Sequence, residues 1–250
     1  MIISNEFKYL FIETPHTGST AISAELKRHY GGQEILHKHA NFHEFKKIAT
    51  QAQSDYFVFA GVRNPLDEAQ SLYFKFLTNH KKNYTDPAKA LENGGWVTKR
   101  KRQIFKLVQG TQDFTLFVES FYGFVYTSNI NINKKHCDYI LRFESLSSDF
   151  LEVLRQVGAS PVRALPVINK TQEKESANFC MSAATYKRLL KCFGPFMREW
   201  GYDFPEEYSS TVSRSDLVVY WAAKLARGFY SEYVKEGPLG NMLGLRNILE

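Results

Sequence analysis

The stretch Tyr9-Leu-Phe-Ile-Glu-Thr-Pro-His-Thr-Gly-Ser-Thr20, continuing into Ala21-Ile-Ser-Ala-Glu-Leu-Lys-Arg28, decides how the chain reads. An aromatic and aliphatic run meets a short Pro/Gly/Ser/Thr turn. Beyond the turn, Ile22, Leu26 and Tyr30 recur at helical spacing. The pattern is strand, tight loop, helix. Such a loop turns backbone N–H groups and hydroxyls toward the helix N-terminus, a place that favours anions. Gly18 allows close backbone approach, and Ser19 and Thr20 can donate to a ligand or cap the helix. A Walker A loop cannot be written through the stretch. Alone, it is equally an ordinary capped strand-to-helix turn.

Outward from the loop, the chain keeps an α/β rhythm. Gly31-Gly32 closes the first helix. His37, His39 and His43 then fall within seven residues. They read as a polar loop, as a source of a catalytic base near the anion loop, or as part of a metal site that needs a further ligand. Tyr56-Phe-Val-Phe-Ala-Gly-Val62 is a buried strand ending at Arg63-Asn64-Pro65, where Asn64 suits a cap and Pro65 a first helical turn. Arg63 thus stands at the carboxyl end of a central strand, where open α/β sheets bind ligands. The following helix buries Leu66, Ala69, Leu72, Tyr73 and Phe76, with Ser71 about two turns in.

Residues 78–98 read as a loop with a short helix. Lys99-Arg-Lys-Arg102 is the densest charge cluster, either a solvated helix face or a wall facing anions. Further on, the spacing predicts a helix over 114–122, a strand over 138–142 and a helix from Leu146 to about Val157. The segment Leu165–Lys174 is extended and then basic, and Lys170 and Thr171 are candidate phosphate ligands. Residues 182–200 read as two short helices broken at Gly194-Pro195. From Ser213 a helix carries Val218, Trp221, Ala222, Leu225, Phe229 and Tyr233 as an apolar stripe. That stripe is expected to pack on the domain or on a second subunit. A membrane-surface role, with Lys224, Arg227 and Lys235 nearby, is a second reading.

The 250 residues suffice for one large α/β domain or two small ones, and since no linker or repeat divides them one domain is expected. A net charge of +6 suits an anionic ligand, and the absence of a long Lys/Arg tract argues against nucleic acid. Cys137, Cys180 and Cys192 are odd in number and form no C-x-x-C pair. That argues against a disulfide framework and a cysteine zinc site, and suits a reducing compartment. Neither a signal peptide nor a run of 18 apolar residues is present, so a cytoplasmic protein without a transmembrane segment is expected.

Three pieces together resemble the sulfotransferases that use 3′-phosphoadenosine 5′-phosphosulfate (PAPS). Thr14-Pro-His-Thr-Gly-Ser-Thr20 is similar to that family's 5′-phosphosulfate loop, T-P-K-[TS]-G-[TS]-T. Val62-Arg-Asn-Pro65 with Ser71 and Tyr73 is similar to its 3′-phosphate motif. Tyr139-Ile-Leu-Arg-Phe-Glu-Ser-Leu146 is similar to its I-L-R-[FY]-E-[DS]-L strand and turn. The likeness spans about residues 7–204. His37-Lys-His39 and Asn169-Lys-Thr-Gln-Glu-Lys174 resemble elements of the uronosyl 2-O-sulfotransferases, whereas the R-K-G…G-D-W-K segment of the phenol and steroid branch is absent.

The resemblance implies a three-layer, P-loop-like parallel sheet flanked by helices over residues 1–204, with a helical C-terminal extension over 205–250. It implies sulfuryl transfer from PAPS to an acceptor hydroxyl, expected on a carbohydrate, with PAP as product and no metal. Pro15, His16, Thr17, Gly18, Ser19 and Thr20 are then expected on the 5′-phosphosulfate, with His16 also expected as a catalytic residue that stabilises the bridging oxygen and the leaving group. Arg63 and Ser71 are expected on the 3′-phosphate, with Lys170 and Thr171 supplementing them. His39, or else His37, is expected as the base. His16 stands where the family carries a lysine, and a neutral imidazole stabilises negative charge less than an ammonium. A non-catalytic module binding PAP or an anionic glycan, and a small-molecule acceptor, are the alternatives. A homodimer through the C-terminal helix is the expected assembly.

Overall fold

The computed structural model of the chain describes residues 1–122, 125–166, 182–204 and 211–234. Strands β1 (Ile2–Ser4), β2 (Tyr9–Ile12), β3 (Gln33–Glu34), β4 (Phe57–Val62) and β5 (Tyr139–Arg142) form one sheet in the order β3-β1-β2-β4-β5. The helices are α1 (Ser19–His29), α2 (Phe42–Lys46), α3 (Pro65–Leu77), α4 (Lys99–Thr111), α5 (Phe114–Phe121), α6 (Ile130–Asn133), α7 (Leu146–Gln156), α8 (Ala183–Trp200) and α9 (Arg214–Phe229). A π-type turn, Tyr230–Val234, continues α9. The protein is therefore α/β, with flanking and C-terminal helices.

The expected parallel sheet is a mixed one. β2, β4 and β5 run parallel, with Tyr9 opposite Phe57 and Phe59 opposite Tyr139. β1 is antiparallel to both β2 and β3. The reason is the connection: only Asn5–Lys8 join β1 to β2, and a parallel crossover needs a dozen residues or more. Ser4 Oγ accepts the Phe7 N–H within this turn, and Lys8 takes a left-handed φ of 51°.

The chain divides into two compact units. Residues 1–63, 127–168 and 221–250 form the first, and residues 64–126 and 169–220 the second. The first holds the whole sheet. Its core joins Phe11 and Phe59, stacked at 4.9 Å, to Ile22, Leu26, Leu141, Phe150 and Leu154. Tyr9 Oη donates to the Tyr30 carbonyl at 2.8 Å, and the Tyr30 hydroxyl accepts the Val162 N–H at 3.0 Å. These bonds satisfy polar groups that would otherwise be costly to bury. The second unit packs α3, α4, α5 and α8 around Tyr73, Phe76, Phe117, Val118, Phe193 and Met197. There, α8 is one helix of 18 residues, not two broken at Gly194-Pro195. A proline inside a helix costs roughly 3 kcal/mol. The buried face of Leu189, Phe193, Phe196, Met197 and Trp200 outweighs that cost.

One tie in the first unit is sensitive to pH. Glu25 is buried on α1, and Arg163 grips its carboxylate at 2.8, 3.0 and 3.2 Å. The hydrogen-bonded guanidinium holds the Glu25 carboxyl below the usual carboxylate range. A folded-state value below the unfolded one adds stability that is complete above the ordinary carboxylate range. That stability is lost as pH falls through the lowered value. Glu25→Gln is therefore expected to melt below wild type at pH 7, and the gap should close on acidification. A constant gap between pH 7 and pH 3 in thermal scans would refute this.

Candidate functional site

The loop after β2 is fixed from beneath and from both sides. Glu13, Thr14 and Thr17 are buried, whereas His16 is exposed. Thr17 Oγ1 donates to the Thr14 carbonyl at 2.9 Å, closing the turn on itself. Two residues bend the backbone through left-handed space, His16 at φ 63° and Gly18 at φ 76°. Gly18 is the N-cap of α1, and no side-chain hydrogen bond caps the helix there. Two close approaches explain the glycines. A Cβ on Gly18 would lie 2.5 Å from Leu146 Cδ2, and a Cβ on Gly61 of β4 would lie 2.6 Å from Thr17 Oγ1. The loop thus rests on a bare stretch of β4, beside the residues that follow β5.

The electrostatics at this loop favour an anion. The Ala21 N–H turns back to the Gly18 carbonyl at 2.9 Å. Helix geometry leaves the N–H groups of Gly18, Ser19 and Thr20 without a carbonyl inside α1, at the positive end of its dipole. Thr14 Oγ1 is fully buried and has no hydrogen-bond partner among the described residues. Arg63, from the carboxyl end of β4, donates from Nη1 to the His16 carbonyl at 3.0 Å. Its guanidinium lies over the Phe143 ring at 4.0 Å. Lys38 Nζ donates to Thr20 Oγ1 at 2.9 Å, which brings an ammonium to the first turn of α1. Sequence reasoning missed Lys38, although it sits between the two histidines singled out. The missing signal was the turn that folds residues 37–40 back toward the loop.

The two histidines are held differently. His39 Nδ1 lies 2.8 Å from the Glu13 carbonyl. A carbonyl only accepts, so the neutral ring carries its proton on Nδ1 and its lone pair on Nε2. His37 is committed differently. Its Nε2 is 2.7 Å from Glu44 Oε2, and Glu44 is already held in a capping box with Asn41 at the start of α2. Glu13 anchors this region, because its carboxylate accepts from Ser23 Oγ at 2.6 Å while its carbonyl meets His39.

Of the residues expected at one site, Pro15, His16, Thr17, Gly18, Ser19, Thr20, Arg63, His37 and His39 belong to the first unit. Ser71 is buried on α3 in the second unit. Lys170 and Thr171 lie outside the described residues, as does Cys180. The cluster at 99–102 is partly committed within the second unit. Arg100 donates to the Ser120 and Phe121 carbonyls at the end of α5, and Arg102 donates to the Asp86 carbonyl. Lys101 stands over the exposed Trp96 ring. Burial pushes the Cys137 and Cys192 thiols up to about 12, so neither is a nucleophile at neutral pH. Among the described residues, no group of three or more His, Cys, Asp or Glu side chains is placed to hold a metal ion. Nor is any described helix long and apolar enough to cross a membrane. No protein-family model, curated protein or solved structure matches this chain.

Proposed function

We propose that this chain is a PAPS-dependent sulfotransferase acting on a carbohydrate hydroxyl, on a sulfotransferase-type α/β fold. The observation that carries the reading is the loop at 13–18. It joins a parallel strand to a helix N-terminus and has Arg63, Lys38 and His39 fixed around it. The fit to the co-substrate is supported by the buried Thr14 Oγ1, without a hydrogen-bond partner among the described residues, and by the glycine-bared contact at Gly61. Residues Pro15 to Thr20 would hold the 5′-phosphosulfate, and Arg63 would add a cation beside them. PAPS, when bound, supplies an activated sulfuryl group on a phosphate leaving group.

The chain's own contribution is positioning and charge, as transfers of this type demand. The α1 N-terminus offers N–H groups already aligned. Lys38 supplies the ammonium that position 16 lacks, since His16 replaces the lysine of the resembled family. His39 Nε2 is the atom that takes the acceptor hydroxyl's proton, and the bond from Nδ1 to the Glu13 carbonyl holds that tautomer.

A second reading has one specific observation behind it. With a histidine at position 16, the site could bind PAP or an anionic glycan without transferring anything. Incubation with PAPS radiolabelled in its sulfate, against a panel of glycans and small hydroxylated acceptors, separates the two. Labelled product supports the transferase. Tight PAP binding with no product on any acceptor supports the binding module. A melting temperature unmoved by PAP removes both, since a ligand specific to the native state must raise it.

A further inference from the structure

The C-terminal helix is turned inside out. Within the first unit, its inward contacts are polar. Arg227 donates to the Thr127 carbonyl at 2.8 Å, to Thr127 Oγ1 at 3.0 Å and to Asn129 Oδ1. Buried Ser231 Oγ accepts from Asn41 Nδ2 at 2.8 Å. The apolar stripe points outward instead: Trp221 is 48 % exposed, Leu225 72 %, Phe229 62 % and Tyr233 59 %. Phe229 and Tyr233 rest ring against ring at 5.2 Å, and Lys224 Nζ lies over the Trp221 ring at 4.4 Å. Hydrogen bonds thus hold the helix with its apolar side toward solvent. An outward apolar stripe of this kind marks an interaction surface.

Charge identifies the occupant. Glu232, at the end of the stripe, lies 3.8 Å from Lys135 and 3.9 Å from His43. Lys134, Lys135 and Lys46 are exposed beside it, and Lys46 and Lys135 both act on the field at His136. The stripe therefore ends in a surplus of cations. Aromatic rings, an exposed leucine and flanking lysines are the makeup of a helix that lies in a membrane interface. An anionic headgroup layer complements those cations while taking up the apolar stripe beside them. We propose that the face from Trp221 to Tyr233 docks on an anionic lipid surface, seating the apolar side chains among acyl chains and Lys46, Lys134 and Lys135 against headgroups.

The test is co-sedimentation of the full chain with large vesicles of phosphatidylcholine alone, or of phosphatidylcholine with about 30 mol % phosphatidylserine, whose negative surface potential attracts basic side chains. Binding to the anionic vesicles only is expected, weakening as salt is raised. In a Trp96→Phe background, where buried Trp200 is the other emitter and its signal should stay constant, the emission from Trp221 should shift to the blue on binding. Leu225→Glu with Phe229→Glu should abolish binding. Lys134→Gln with Lys135→Gln leaves the apolar face intact and should weaken binding by roughly 25-fold, at about fivefold per charge. The proposal is overturned by no binding to anionic vesicles, or by binding that both double variants leave intact. It is equally overturned if the chain avoids vesicles and forms a dimer that Leu225→Glu with Phe229→Glu dissolves. None of these outcomes depends on sulfuryl transfer, so this proposal and the proposed activity fail separately.

Discussion

Replacing His39 by alanine is expected to lower turnover by about 10²–10⁴-fold, the usual cost of losing a general base. PAP binding should survive, because His39 meets the loop at the Glu13 carbonyl, ahead of the residues that would hold phosphate. His37→Ala should cost far less in rate, since its Nε2 already faces the Glu44 carboxylate. It should instead loosen the start of α2, where Glu44 completes the capping box. The measurement is kcat for both variants beside PAP affinity from thermal shift. A His39→Ala enzyme turning over at the wild-type rate sinks the base assignment. Loss of turnover together with loss of PAP binding would show a damaged loop rather than a missing base.

Gly61→Ala is the second large effect. Its Cβ would fall 2.6 Å from Thr17 Oγ1 and 2.8 Å from Thr17 Cβ. Thr17 is buried and tied to the Thr14 carbonyl, so it cannot swing aside as a surface side chain would. Overpacking of this kind costs about 1–3 kcal/mol. At roughly 2–4 °C per kcal/mol for a chain of this size, that is a drop of a few degrees to about ten. PAP affinity should fall as well, because the strain falls on the loop proposed to hold the nucleotide. Gly110→Ala is the control of opposite sign. Gly110 lies in α4 with nothing within 4 Å of a new Cβ, and alanine there should stabilise by about 0.5–1 kcal/mol. Equal melting temperatures for the two variants would refute the packing argument at Gly61.

The parts legible in sequence were those governed by local chemistry. The Pro/Gly/Ser/Thr turn marked the start of α1, and Asn64-Pro65 marked the start of α3, where Asn64 Oδ1 accepts the Leu66 N–H. β4 and β5 stood out because they are short, apolar and continuous. β1 was not legible, since three residues and a turn without Asn-Gly give no hairpin signature. The unbroken α8 was missed because proline's local penalty is visible in sequence and the burial that overrides it is not. Lys38 reaching Thr20 across 18 positions is a tertiary fact with no periodic trace. The stripe on α9 was seen, but not the way it points. Periodicity identifies an apolar face, and only the anchors at Arg227 and Ser231 decide whether it turns inward.

Arg63 bears on how a ligand would be received. Its guanidinium is laid flat on Phe143 and pinned through one nitrogen to the His16 carbonyl. A long cationic side chain ordinarily surrenders much of its rotational freedom when it grips an anion. Here that loss has occurred at folding, so an incoming anion meets a cation already in place, and the association carries a smaller entropic penalty. Lysine would keep the charge but could neither lie flat on the ring nor offer a rigid fork to the loop. Position 63 thus demands a planar cation rather than simply a positive one.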